Sequence, residues 1–208
     1  MRLYYSETLS PRKACAVARQ VKATVEYVYV DLRKGEQRTP EFRAINPNQK
    51  VPALVEGDRR LWESNAIMSR LAMAAGSDLW PADERQIDVI RWLSWDGAHF
   101  TRYGGILYFQ HIVKAYLGIG APDLAAVEEA QGRFRTAAAV LDEHLSGRRW
   151  LVGDGLTIAD FAVAVSLPYA EKSAIPLNEF PAICRWHDRL SELDAWREPF
   201  PLRAATAA

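Results

Sequence analysis

Cysteine is nearly missing from this chain: Cys15 and Cys184 are the two in 208 residues. They form no CxxC pair and no metal-ligand spacing. That excludes a disulfide framework and fits a reducing compartment. Excess charge of one sign is missing too, since 26 Lys plus Arg balance 26 Asp plus Glu. The basic bias of a dedicated nucleic-acid binder is therefore lacking, and any anion site must be local. No apolar run approaches the ~20 residues needed to cross a bilayer, and the opening MRLYYSETLSPRK has no apolar core of a signal peptide. A cytoplasmic protein with no membrane partner is expected. The histidines His99, His111, His144 and His187 are scattered, so no metal is expected. A Gly-rich phosphate loop and internal repeats are also absent.

What is present is ordinary globular material, 49% hydrophobic and 25% charged. The length suits one large or two small domains. Residues 2–5 (RLYY) read as a strand. Ser10 is a good N-cap and Pro11 a good first helical residue. Ala14, Cys15, Val17, Ala18 and Val21 then come at helical spacing. Val25–Val30 is β-rich, so strand, helix and strand imply a parallel βαβ unit. A polar loop over 31–39 leads to a short helix at Pro40–Ile45. Val51–Val55 and Arg60–Trp62 form two strands around a Glu56-Gly-Asp58 turn. Ser64 caps a third helix. The stretch Gly76–Glu84 reads as a linker, and everything beyond it as helical: 84–117, 123–146, Thr157–Tyr169 and Pro181–Leu193, with an irregular tail from Pro199. The expected architecture is an α/β domain over 1–76 and an all-helical domain over 84–208.

Three places offer chemistry. Pro52 stands at a strand start, where an X–Pro bond is a candidate for the cis form. A cis bond there would turn the Val51 backbone out of the sheet, free to pair with an extended peptide; a plain loop proline is the alternative. Glu63-Ser64 opens a helix, whose free N–H groups and partial positive charge suit a carboxylate. Ser64 would grip an α-carboxylate and Glu63 an α-ammonium; an ordinary N-cap is the alternative. Thr8-Leu-Ser10 lies at a strand-to-helix turn, where a hydroxyl can hold a thiolate and lower its pKa; simple capping is again the alternative. By contrast, Thr157-Ile-Ala-Asp160, with Leu156 and Phe161 as a staple, reads as a structural capping box. Cys15 on its apolar face reads as a small buried hydrophobe. Trp95, His99, Phe100 and Tyr103 fall at i, i+4, i+5 and i+8, so one helix face is expected to carry them.

Together NPNQKVPALVEGDRRLWESNAIM (Asn46–Met68) and LTIADFAVA (Leu156–Ala164) resemble the cytosolic glutathione transferases, over nearly the whole chain. The resemblance implies a thioredoxin-like N-terminal domain and an all-helical C-terminal domain. It implies that Pro52 is cis, that the Val51 backbone pairs with the cysteinyl part of glutathione, and that Glu63 and Ser64 hold its γ-glutamyl end. Lys50 would lie near the glycyl carboxylate, with Lys34 or Gln49 helping. At the first turn the resemblance divides. The bacterial beta class carries Cys where this chain has Ser10. Ser10 resembles the hydroxyl of theta-like and delta-like members. Thr8 and Ser10, with DLRKGEQRTPEF (Asp31–Phe42) later in the chain, resemble the nu-class disulfide reductases. Tyr4 and Tyr5 read as strand residues, too early to serve. Thioredoxins place cysteines at this turn and this chain has none, so redox work would use glutathione's own thiol.

The implied function is conjugation of glutathione, a co-substrate rather than a cofactor, to a small apolar electrophile. Ser10, or Thr8 as second choice, would hold the thiolate, and His99 and Tyr103 would line the second-substrate pocket. Glutathione-dependent disulfide reduction and a non-catalytic binding or regulatory role are the alternatives. A homodimer is implied, with Trp62 and Met68–Met73 as interface candidates and Asp96 reaching toward a partner's glutathione.

Overall fold

The structure, a computed structural model, describes residues 1–202. They form two compact units, 1–77 together with 193–202, and 78–192.

The first unit is a four-stranded sheet in the order β2-β1-β3-β4. Strand β1 is Arg2–Tyr5, β2 is Glu26–Tyr29, β3 is Ala53–Glu56 and β4 is Arg59–Trp62. The β1–β2 pair is parallel, joined by helix α1 (Leu9–Gln20), as the βαβ expectation required. β3 runs antiparallel to both β1 and β4. Alternation gives the sheet two apolar faces. Tyr4, Ala53 and Val55 pack with Val30 under helix α2 (Pro40–Ile45), whose Phe42 meets the Tyr4 ring edge-on at 5.9 Å. Leu3 and Leu54 pair in register and are fully buried on the other face, where α1 packs against α3 (Ser64–Ala74).

Two expected boundaries move. The N-cap of α1 is Thr8, not Ser10: Thr8 has the extended φ −130°, ψ 173°, and Arg12 N donates to its carbonyl at 3.0 Å. Pro11 thereby falls at the third helical position, where a missing N–H still costs no intrahelical bond. Ser64 likewise is the first residue of α3, not its cap; Glu63 holds the cap position. The tail also changes place. Residues 193–202 belong to the first unit, although the sequence assigns them to the helical domain. Helix α10 (Asp194–Arg197) packs on α1, where Arg12 Nη2 donates to Trp196 O at 2.5 Å, and Phe200 stacks on Tyr5 with ring centroids 6.0 Å apart.

The second unit is helical: α4 (Arg85–Trp95), α5 (Thr101–Tyr108), α6 (Lys114–Leu117), α7 (Leu124–Leu145), α8 (Ile158–Val163) and α9 (Pro181–Ser191). Two π-turns, Asp96–Phe100 and Phe109–Val113, join α4, α5 and α6 into one long interrupted helix. The capping box forms as expected. Asp160, fully buried, accepts Thr157 N at 2.9 Å on one oxygen, and Leu151 N at 3.0 Å and Trp186 Nε1 at 2.9 Å on the other. No helix among the described residues is long and apolar enough to cross a membrane.

Candidate functional site

Strand register brings the suspected residues to one end of the first unit's sheet. Tyr4 pairs with Ala53, so the chain entering β3 lies beside the chain leaving β1. Ala53 pairs with Trp62, so the chain leaving β4 emerges at that same end. Tyr5 pairs with Tyr29, which adds the loop after β2. The segments 6–10, 31–34, 49–52 and 63–64 therefore share one rim. Thr8, Ser10, Lys34, Gln49, Lys50, Val51, Pro52, Glu63 and Ser64 all stand on it.

The loop into β3 is built by Asn46, a buried residue that pattern reading passes over. Its Nδ2 donates to Lys50 O at 2.6 Å, and its Oδ1 accepts Asn48 N at 3.0 Å and Asn48 Nδ2 at 3.1 Å. Gln49 takes a left-handed φ of 54° within this turn. The Val51–Pro52 peptide is cis. Pairing of β3 begins at Ala53, and neither Val51 N–H nor Val51 C=O takes a hydrogen bond among the described residues. Such an unpaired strand-like segment is a site for main-chain pairing with an extended peptide.

Glu63 has φ 69° and ψ 116°, a conformation rare for a residue with a Cβ. It swings the chain from β4 into α3, whose first hydrogen bond runs from Ile67 N to Glu63 O at 3.0 Å. The N–H groups of the first turn are left unpaired, as at any helix start. Ser64 is 8% exposed, and its hydroxyl has no partner among the described residues. The Glu63 carboxylate is exposed and forms no ion pair among them. In the same turn Asn65 accepts Lys13 Nζ at 2.8 Å, which ties α3 to α1. That link is also invisible in the sequence, because nothing there marks a lysine on an apolar helix face as half of a polar pair.

At the first turn, Thr8 N donates to Ser6 O at 2.8 Å, but the Thr8 side chain makes no capping bond. Ser10 is exposed, and its hydroxyl too has no partner among the described residues. Both hydroxyls sit in the first turn of α1, where the helix field favours negative charge. Lys34 is mostly exposed; its ammonium lies 3.9 Å from Asp31, whose other oxygen accepts Arg33 N and Lys34 N. Lys50 is exposed, and Gln49 half-buried.

The remaining candidates belong to the second unit. Of the expected common face of Trp95, His99, Phe100 and Tyr103, the first three stay in ring contact, with the Trp95 centroid 6.1 Å from His99 and 5.8 Å from Phe100. The π-turn over Asp96–Phe100 inserts an extra residue and rotates every side chain beyond it. Phe100 turns into the core, 4.6 Å from Phe134 between centroids, while His99 is exposed and Tyr103 half-buried. Asp96 is buried and accepts the Thr101 hydroxyl at 2.6 Å, so it does not reach outward. Met68, Leu71 and Ala72 are core residues, whereas Trp62 and Met73 are exposed. Cys15 is buried, and burial pushes its thiol up to about 12, which leaves it inert at neutral pH. Among the described residues no three of His, Cys, Asp and Glu gather into a group able to hold a metal.

Comparison with known proteins adds a second line. Residues 3–72 match the family model for the glutathione S-transferase N-terminal domain, and residues 105–194 match that for the C-terminal domain. Glutathione S-transferase 3 of Zea mays is 35% identical, over 97% of this chain and 89% of that protein. Disulfide-bond oxidoreductase YfcG of Escherichia coli is 29% identical, over 90% and 88%. The solved structure of glutathione transferase F7 from Populus trichocarpa superposes with a TM-score of 0.88 at 25% identity, covering 95% of this chain and 96% of that one. Plant proteins thus stand beside a bacterial one, and the bacterial beta-like, theta-like or nu-like subtype expected from the first turn is not singled out.

Proposed function

This chain belongs to the glutathione S-transferase family, and from that premise we propose that its first unit binds glutathione along the sheet rim and presents the tripeptide's thiol as a thiolate. The observation that carries this reading is the unpaired Val51 backbone beside the unpaired Ser64 hydroxyl and the free first turn of α3. Two strand spacings, about 10 Å, separate the ends of β1 and β4, and an extended tripeptide spans about the same length. The cysteinyl part would pair with Val51 N–H and C=O. The γ-glutamyl carboxylate would accept from Ser64 Oγ and the α3 N–H groups, with Glu63 taking the ammonium. Lys50, Gln49 and Lys34, on the loops at the other side of Val51, would meet the glycyl carboxylate.

The thiolate would accept a hydrogen bond from Ser10 or, as second candidate, Thr8. A drop of one pKa unit in the bound thiol amounts to ~1.4 kcal/mol of preferential thiolate stabilisation. The thiolate then attacks an electrophilic carbon of a small apolar substrate: a C–S bond forms, the leaving group departs with the electron pair, and the thiol proton has gone to solvent. His99 and Tyr103 are the proposed second-substrate contacts. A cytoplasmic homodimer is part of the same reading, with exposed Trp62 and Met73 as interface residues.

The name of the Escherichia coli relative favours a second reading, disulfide reduction. One glutathione thiolate would attack a disulfide and expel a thiolate; a second glutathione would resolve the mixed disulfide and leave glutathione disulfide. Stoichiometry separates the two reactions, since conjugation consumes one glutathione per turnover and reduction two.

Calorimetry with glutathione on wild type and Ser64→Ala tests the binding, with thiolate absorbance tracked across pH in the same samples. Clear binding, weakened about tenfold or more by Ser64→Ala, with a thiol pKa at least one unit below that of free glutathione, is the expected result. Ser10→Ala against Thr8→Ala then assigns the activating hydroxyl. No binding at millimolar glutathione sinks the enzyme reading and leaves the binding or regulatory scaffold.

A further inference from the structure

The second unit carries a charged cavity that the glutathione reading leaves unused. Arg148 and Arg149 lie just past the C-terminus of α7. Arg185 and Arg189 stand four residues apart on α9 and so share one face of that helix. All four line a single cavity of about 380 Å³, floored by buried Leu145 and Trp186.

No carboxylate lines it. Two acids that hydrogen-bond to lining residues from outside the cavity are engaged there. Asp142 accepts Ala182 N at 2.7 Å and Ile183 N at 2.9 Å at the start of α9, and Asp160 lies behind the floor, accepting Trp186 Nε1. Among the described residues none of the four arginines forms an ion pair, whereas Arg70, Arg85 and Arg135 each hold a carboxylate. Part of the cluster is fixed in place. Arg189 Nη1 donates to Arg149 O at 2.8 Å, and the Arg149 and Arg189 guanidinium carbons lie 5.9 and 5.8 Å from the Trp150 ring centroid. The charge is felt nearby: burial first, then Arg148 among other charges, holds His144 below its usual range.

We propose that this cavity binds a small free anion carrying two linked phosphate groups. A guanidinium presents a flat two-pronged donor edge that matches phosphate oxygens. Here two pairs of them come from two different elements, one pair for each phosphate. Four like charges gathered with no carboxylate among the lining residues repel one another, and a bound diphosphate relieves that repulsion. The near-apolar floor leaves the cation edges as the recognising groups. The proposal stands apart from the glutathione reading and shares no residue with it.

Inorganic pyrophosphate titrated into the full chain by calorimetry at ~50 mM salt is the test, with orthophosphate and a nucleoside diphosphate as parallel arms. Pyrophosphate is expected to bind about tenfold or more tighter than orthophosphate. Arg185→Gln and Arg148→Gln should each weaken it by a similar factor, while Arg133→Gln, an exposed arginine elsewhere on α7, leaves it unchanged. Arg185→Lys keeps the charge and loses the two-pronged edge, and an intermediate affinity supports guanidinium recognition. A nucleoside diphosphate that matches pyrophosphate places the natural ligand among diphosphate esters; one that fails to bind while pyrophosphate binds assigns the site to the inorganic ion. Pyrophosphate no tighter than orthophosphate, or binding indifferent to Arg185→Gln and Arg148→Gln in variants whose circular dichroism is unchanged, overturns the proposal. So does the absence of binding at millimolar pyrophosphate.

Discussion

Glu63 sits at φ 69°, where an L-residue stores about 1–3 kcal/mol of strain. A glycine relieves it. Glu63→Gly is therefore expected to raise the melting temperature and at the same time to weaken glutathione binding; a melt paired with calorimetry reads both. Gly104 poses the opposite case. A Cβ there would stand 2.6 Å from Ser166 Oγ and 3.1 Å from Ser166 Cβ. The helix-propensity gain of alanine, ~1 kcal/mol, is outweighed by overpacking of about 1–3 kcal/mol. Gly104→Ala should lower stability in urea denaturation, and adding Ser166→Ala should restore part of the loss, because the two sites couple. Asp160 yields a pH dependence. Burial pushes its carboxyl up to about 6 against the donors that surround it. The folded state then holds the proton more tightly than the unfolded state between about 4 and 6, so this contribution favours folding at low pH and fades as pH rises through 6. Denaturation curves between pH 7 and 5 should show wild type gaining on Asp160→Asn, by on the order of 1–3 kcal/mol. Glu56, held below the usual carboxylate range by the Arg70 hydrogen bond, acts in the opposite sense as pH falls. Glu63 and Ser64 are legible in the sequence because a helix start has a local chemistry. Gly104 is not, because its neighbour Ser166 lies in another element and no spacing rule links the two.

At the scale of elements, the first unit can be traced strand by strand from sequence, since period-2 and period-3.6 patterns differ and Gly, Pro and Asn punctuate them. The one-residue and two-residue offsets at Glu63 and Thr8 arise because capping preference names residue types, whereas the chain chooses by φ and ψ. The long helix over 85–117 resists such reading. A π-turn leaves no mark in composition, and each one shifts every later side chain around the axis. Hence Phe100 lies in the core against Phe134 while His99, also in contact with Trp95, stays exposed. Such turns behave as single-residue insertions. Deleting exposed Gly97 should convert the first into regular helix while the flanking helices keep their seats. The deletion variant should retain its helical circular dichroism and its glutathione affinity but change kcat/KM for the electrophile; loss of the fold instead would mean that the π-turn is structural.

Across the whole molecule, the two-part organisation is visible from the sequence pattern, and the seam is not. The sequence reading ends its last helix at Leu193 and leaves the tail with the helical domain, yet Trp196, 1% exposed, and Phe200 belong to the first unit. Long-range partners such as Arg12 and Trp196 are outside the reach of local pattern. Truncation after Glu192 should therefore loosen α1 rather than α7, visible as lost hydrogen-exchange protection at α1 amides with α7 amides unchanged. That same placement has a consequence for biosynthesis. The sheet and α1 leave the ribosome first, but the piece that covers α1 is synthesised more than a hundred residues later, roughly 5–25 s at ~5–20 residues per second. Throughout that interval the growing chain exposes an unfinished apolar flank, and its second half is made while the first still waits for its last few residues.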